Sequence, residues 1–164
     1  EPYRRQRQMC IRDRSITNES QIKEALNSNA EIMVCTSGVS MYPMLRNRKD
    51  IVVLIKPTKN LKKNDVPLYQ ANGKLVLHRI LRIKPEHIVI RGDNLIQKEY
   101  VDPKQIIAVL KGFYRNEKYY DCEKSITYKI YVILMKMTYP IRWCWKSFFR
   151  PILSKIKAIF IKKG

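Results

Sequence analysis

Between residues 31 and 115 short apolar runs alternate with clusters of Gly, Pro, Asn and Asp. Residues 50–55 are a continuous apolar run after one Asp, too short for a helix and rich in branched side chains, which predicts a buried strand. Residues 31–36 predict another strand. Residues 66–70 and 74–83 predict two more, joined at Asn72-Gly73, a pair whose backbone freedom suits a tight hairpin. Residues 57–64 read as a basic loop. Pro85-Glu86 then turns the chain into a strand over 87–91, Gly92-Asp93-Asn94 ends it, and 106–114 form a last strand interrupted by Gly112. Ahead of these, residues 17–28 predict a short amphipathic helix with Ile22, Ala25 and Leu26 on one face and Thr17 or Asn18 as cap. After about Ser125 apolar and aromatic positions are interspersed with Lys and Arg over 126–137 and 141–161, divided by Pro140 and Pro151, which predicts two or three basic amphipathic helices. Their longest uncharged run, 130–135, falls well short of the roughly 20 residues that span a bilayer. The expected fold is mainly β, a small curled antiparallel sheet or barrel with a short N-terminal helix and basic C-terminal helices.

Composition sharpens the division of the chain. With 164 residues there is room for one domain and an appendage. The net charge of +19 is uneven: residues 16–122 carry eighteen basic and eleven acidic groups, whereas 123–164 carry ten and one. The expected boundaries are therefore a domain over 16–122 and a basic helical tail over 123–164. Residues 1–15 have no periodicity and begin with Glu, and they resemble translated adapter sequence from assembled metagenomic reading frames. They are set aside, so a membrane anchor could precede the native domain. Cys10, Cys35, Cys122 and Cys144 lie far apart without metal-ligand spacing, so neither a zinc site nor a disulfide framework is expected. Nucleic acid is a weak candidate partner, since net charge alone supports it and no recognition motif accompanies the charge. The tail, 125–163, with Trp143, Trp145, Phe148, Phe149 and Phe160 among Lys and Arg, suits the surface of an anionic membrane, and an ordinary solvated basic face suits it equally.

The densest chemistry lies in Ser37-Gly38-Val39-Ser40-Met41-Tyr42-Pro43-Met44-Leu45, followed by Leu77-His78-Arg79-Ile80 and Arg91-Gly92-Asp93-Asn94. A serine hydroxyl holds its proton too tightly to attack a carbonyl at neutral pH. It needs a base, a group that orients the base, and donors for the oxyanion. Ser40 sits where a strand meets a turn, with Gly38 free to take unusual backbone angles. His78 is the candidate base, because an imidazole titrates near working pH. Asp93 is the candidate orienting carboxylate, although Asp also favours such turns for local reasons. The Gly38 and Ser40 amides are candidate oxyanion donors, and Met41 and Tyr42 candidate lining of a substrate groove. His87 has no motif around it and reads as a surface or structural residue.

These motifs, in this order and with gaps of 38 and 15 residues, resemble the signal peptidase I family in the branch that uses His rather than Lys as base, as in eukaryotic endoplasmic-reticulum and sporulating-bacterium enzymes. Asp50-Ile51-Val52-Val53, Leu61-Lys62-Lys63-Asn64-Asp65-Val66 and Ile106-Ile107-Ala108-Val109-Leu110 extend the resemblance over about residues 31–115. It implies a serine endopeptidase that cleaves a secreted precursor or leader peptide after small residues, at a membrane or in the cytoplasm, with no metal or cofactor. Lys49 and Asn64 stand where the family has turn glycines, and Gly38 removes a hydroxyl that some relatives place there. In the endoplasmic-reticulum branch a second acid follows Gly-Asp-Asn, and Glu99 falls near that place as an alternative to Asp93. Self-cleaving LexA-type repressors share Ser-Gly-x-Ser-Met but pair the serine with a lysine, for which Lys74 is available. A non-catalytic basic domain of the same fold is the remaining alternative.

Overall fold

The computed structural model describes residues 19–57, 60–145 and 147, and the chain divides into two compact units at 129/130. Residues 1–15, the cap positions Thr17 and Asn18, and the tail from 148 onward lie outside the described residues. The first unit is mainly β. Helix α1 (Glu19–Ser28) buries Ile22 and Leu26, two of the three side chains that periodicity puts on one face. It is followed by β1 (Glu31–Cys35), β2 (Ile51–Ile55), β3 (Pro67–Ala71), β4 (Lys74–Leu77), β5 (Arg79–Ile83), β6 (Ile88–Arg91), β7 (Glu99–Val101), β8 (Ile106–Arg115) and β9 (Lys118–Asp121).

All pairings are antiparallel, and they form two sheets rather than a closed barrel among the described residues. The larger sheet runs β1-β2-β8-β3-β4, with β9 paired to β8. The smaller runs β5-β6-β7. Strand β2 is apolar throughout because it lies between β1 and β8, with Ile51 to Leu54 all buried. The expected hairpin joins β3 to β4, and Asn72 and Gly73 both take positive φ (49° and 72°), as its tight turn requires. Side chains from both sheets share one core: Tyr69, Ile106 and Val109 pack with Ile80, Ile88, Ile90 and Val101.

The expected single strand over 74–83 is two strands. The chain leaves the larger sheet after Leu77 and enters the smaller one at Arg79, so His78 occupies the hand-over. Strands β7 and β9 are additions to the sequence-based pattern. Both are short and half polar, and their order comes from pairing with β6 and β8 rather than from their own periodicity.

Helix α2 (Ile126–Met137) crosses the boundary between the two units, and α3 (Tyr139–Cys144) belongs to the second. No described helix is long and apolar enough to cross a membrane. Cys35, Cys122 and Cys144 are free thiols.

Candidate active site

The serine lies in a bend that the sequence fixes from several sides. Beyond β1 the Thr36 hydroxyl is buried within reach of the Arg46 and Asp50 carbonyls (2.7 and 3.0 Å). Gly38 has φ +94°, a region that side chains resist, which is the need the sequence attributed to it. Asp50 is fully buried and accepts from the Arg46 amide (2.9 Å), the Arg46 guanidinium (2.7 and 2.9 Å) and Arg115 (3.1 Å). Arg115 also donates to the carbonyls of Pro43 and Met44 (3.1 and 2.6 Å). Met41, Met44 and Leu45 fill the underside of the bend. The turn closes with Tyr42 N–H on Val39 O and Leu45 N–H on Met41 O, bonds in which the Ser40 N–H takes no part.

The Gly-Asp-Asn turn docks directly on this bend. The Asn94 amide donates to Ser40 O (2.8 Å), and its side chain to Val39 O (3.1 Å). Gly92 packs so closely that a Cβ there would lie 2.7 Å from Ser40 O and 3.1 Å from His78 Cδ2. Ser40 O and the Cδ2 edge of His78 thus both pack against Gly92, while Nε2, bonded to Cδ2, makes no hydrogen bond to Ser40 or to any other described group. The three motifs, far apart in the chain, converge there.

His78 is 2% exposed. Its Nδ1 lies 2.9 Å from the Tyr69 hydroxyl and 3.3 Å from Glu99 Oε1, and the Tyr69 hydroxyl donates to Glu99 Oε2 at 2.5 Å. No described protein group bonds Nε2. Burial pushes the imidazole below its ordinary pKa of 6.5, opposed by the negative charges of Glu99 and Asp93. The net effect keeps the ring neutral, the form that can accept a proton. Burial and the bond to Glu99 raise the Tyr69 phenol well above its ordinary range, so it is a donor rather than a phenolate.

Asp93 does not orient the imidazole, which corrects the sequence-based preference. Its two oxygens accept from Arg79 Nε and Nη2 (2.8 and 2.7 Å) in a buried fork, and Glu99 is the carboxylate at Nδ1. Arg79 also donates to Asn64 O (3.0 Å) and the Tyr128 hydroxyl (2.8 Å). Asn64 takes φ +80°, in the left-handed region that favours glycine. A second correction concerns the oxyanion donors. The Gly38 N–H is held by Asn47 Oδ1 (2.9 Å), which leaves Ser40 N–H as the remaining candidate of the two.

A cleft of about 580 Å³ opens on Ser40. Its walls are the end of β1 with Ser37 and Gly38 on one side and the β3–β4 hairpin from Gly73 to Leu77 on the other, with Met41, Leu45 and Leu54 among the apolar lining. Met41 lines it. Tyr42 does not, since its side chain turns outward and is 52% exposed. Lys74 also lines the cleft. His87 lies at the other end of β6 from Gly92, with its ring edge-on to Tyr100. Among the described residues no group of three His, Cys, Asp or Glu side chains is placed to hold a metal.

Tyr69 and Arg79 escaped the sequence reading. Tyr69 carries no local motif. Arg79 did have a signal, because Leu-His-Arg-Ile puts an arginine at the start of β5 and Arg-Gly-Asp-Asn puts an acid just beyond the end of β6, the strand that pairs with it. Compared with known proteins, the chain matches no family model and no curated protein.

Proposed function

We propose that the chain is a serine endopeptidase of the signal peptidase I type. The observation that carries this reading is that the backbone of Ser40, which lines an apolar cleft, and the Cδ2 edge of the buried His78 both pack on Gly92. Ser40 Oγ attacks the scissile carbonyl while His78 Nε2 takes its proton. The carbonyl π electrons move onto oxygen, where Ser40 N–H is the available donor. Collapse of the tetrahedral adduct breaks the C–N bond, and the imidazolium returns the proton to the leaving amine. Water then repeats the sequence in reverse order of roles and releases the acyl group from Ser40. Strands β1 and β4 are edge strands of the larger sheet and both border the cleft, which supports an extended peptide as substrate. The preference for small residues before the cut rests on the resemblance alone.

The tail fits a membrane-surface role for this enzyme. Along α2, Ile126, Ile130, Ile133, Leu134 and Met137 recur at helical spacing and are each 52–73% exposed. Lys129 and Lys136 accompany this stripe, and Trp143 and Trp145 follow it (40% and 56% exposed). An exposed apolar stripe with cations and tryptophans matches the interface of an anionic bilayer. The remainder of the expected 125–163 surface, with its three phenylalanines, lies outside the described residues.

The test is cleavage of an Ala-x-Ala peptide library by wild type, Ser40→Ala, His78→Ala and Lys74→Ala. Loss in the first two variants with activity kept in the third supports the His mechanism. Loss in Lys74→Ala with activity kept in His78→Ala supports the LexA-type alternative. Equal turnover by all four removes the catalytic assignment.

A further inference from the structure

We propose that Tyr69 is a positioning residue that sets the tautomer of His78, an inference that rests on the peptidase reading and extends it. A phenol has one proton to donate. The Tyr69 hydroxyl lies 2.5 Å from Glu99 Oε2, within the range of an O–H···O⁻ bond, and an ionised carboxylate can only accept. The phenolic proton therefore goes to Glu99. The same oxygen lies 2.9 Å from His78 Nδ1, so in that bond it must accept, and Nδ1 must carry the hydrogen. Glu99 Oε1, at 3.3 Å, is a second and longer acceptor for the same N–H.

The consequence falls on the other ring nitrogen. A neutral imidazole holding its proton on Nδ1 presents a bare lone pair at Nε2, which is bonded to the Cδ2 that packs on Gly92 and has no described protein partner. Tyr69 is well placed to impose this. It is 2% exposed, its β3 neighbours are ordered by pairing with both β4 and β8, and its ring lies edge-on to the imidazole at 5.9 Å. Glu99 is on the short strand β7, with a side chain 35% exposed, and would be a loose orienting group by itself. The phenol ties that carboxylate to the core and passes its charge to the ring. The unit is thus Ser-His-Tyr-Glu, with Tyr69 between base and acid.

The experiment compares wild type with Tyr69→Phe, which keeps the ring and removes only the hydroxyl. Nitrogen-15 NMR of histidine-labelled protein at neutral pH reads the His78 tautomer without any substrate. Wild type is expected to hold the proton on Nδ1, and Tyr69→Phe to populate both tautomers. In peptide cleavage kcat is expected to fall about 10–100-fold, the range seen when a partner that fixes an imidazole is removed, with KM little changed. Glu99→Gln repeats both measurements on a side chain outside the core and is expected to shift the tautomer in the same direction, so the inference stays testable should Tyr69→Phe fold poorly. Retention of the Nδ1–H form and of kcat in both variants would overturn the proposal. A tautomer shift in a protein that cleaves no peptide would keep the role of Tyr69 and remove the peptidase reading instead.

Discussion

Asp93 and Glu99 lie six positions apart, and their geometry assigns them opposite duties that two substitutions separate. Asp93→Asn keeps the shape but removes the charge that faces Arg79, while the guanidinium stays buried (4% exposed). Breaking one side of a buried ion pair costs about 3–5 kcal/mol, because the remaining charge has been taken out of water without compensation. A domain of this size has only about 5–15 kcal/mol in total, so the loss is a large fraction. At roughly 3 °C per kcal/mol the melting temperature should fall on the order of 10–15 °C. Adding Arg79→Met removes the orphaned cation, and the double variant should therefore melt above Asp93→Asn. Glu99→Gln should behave differently. Its side chain is partly exposed and faces no buried cation, so the melting temperature should stay near wild type while turnover drops. Differential scanning calorimetry and initial rates on the three variants read both effects. A wild-type melting temperature for Asp93→Asn, together with a loss of turnover larger than that of Glu99→Gln, would refute this division of roles.

Three further outcomes follow from the same geometry. Gly92→Ala would push a methyl to 2.7 Å from Ser40 O, a backbone atom already held by Asn94, so we expect a destabilisation of about 1–3 kcal/mol and on the order of 100-fold loss of activity from displacement of Ser40 against His78; wild-type kinetics would exclude the close contact. His78 has its pKa lowered in the fold, so it is deprotonated further into acid than a free imidazole; the rising limb of kcat/KM against pH should have its midpoint below 6.5, and the same group should cost stability as pH falls below that value, whereas a midpoint above it would contradict the buried neutral base. Truncation after residue 129 should abolish co-flotation with phosphatidylserine vesicles and leave cleavage of a short soluble peptide intact; equal flotation of both forms would remove the membrane-surface role.

What the sequence made legible followed its strongest local signals. The apolar run at 51–55, the Asn72-Gly73 turn and the glycine at 38 each have one physical solution, and each was realised. The break at His78 was not legible, because Leu75 to Ile83 reads as one uninterrupted pattern and only the second sheet gives the chain a reason to change partners. The site divides in the same way. Ser40, His78 and the Gly-Asp-Asn turn were marked by residue type and order. The direction of each carboxylate was not, because it depends on the arginine and tyrosine that the fold delivers from β5 and β3. Asp93 in a turn motif looked like the catalytic acid, yet Arg79 beside His78 competes for it with two charge-assisted bonds. Gly38 likewise donates to Asn47, a pairing set by the loop that Asp50 and Arg115 hold in place.

The most direct measurement of the central claim is the acyl-enzyme itself. Wild type turning over an Ala-x-Ala peptide ester is quenched in acid during the burst, and the digested protein is analysed by mass spectrometry. The account predicts the acyl mass on the peptide containing Ser40, reduced by about 10²–10⁴ in rate of formation for His78→Ala. An acyl group on another residue, or equal acylation of Ser40 without His78, would contradict it.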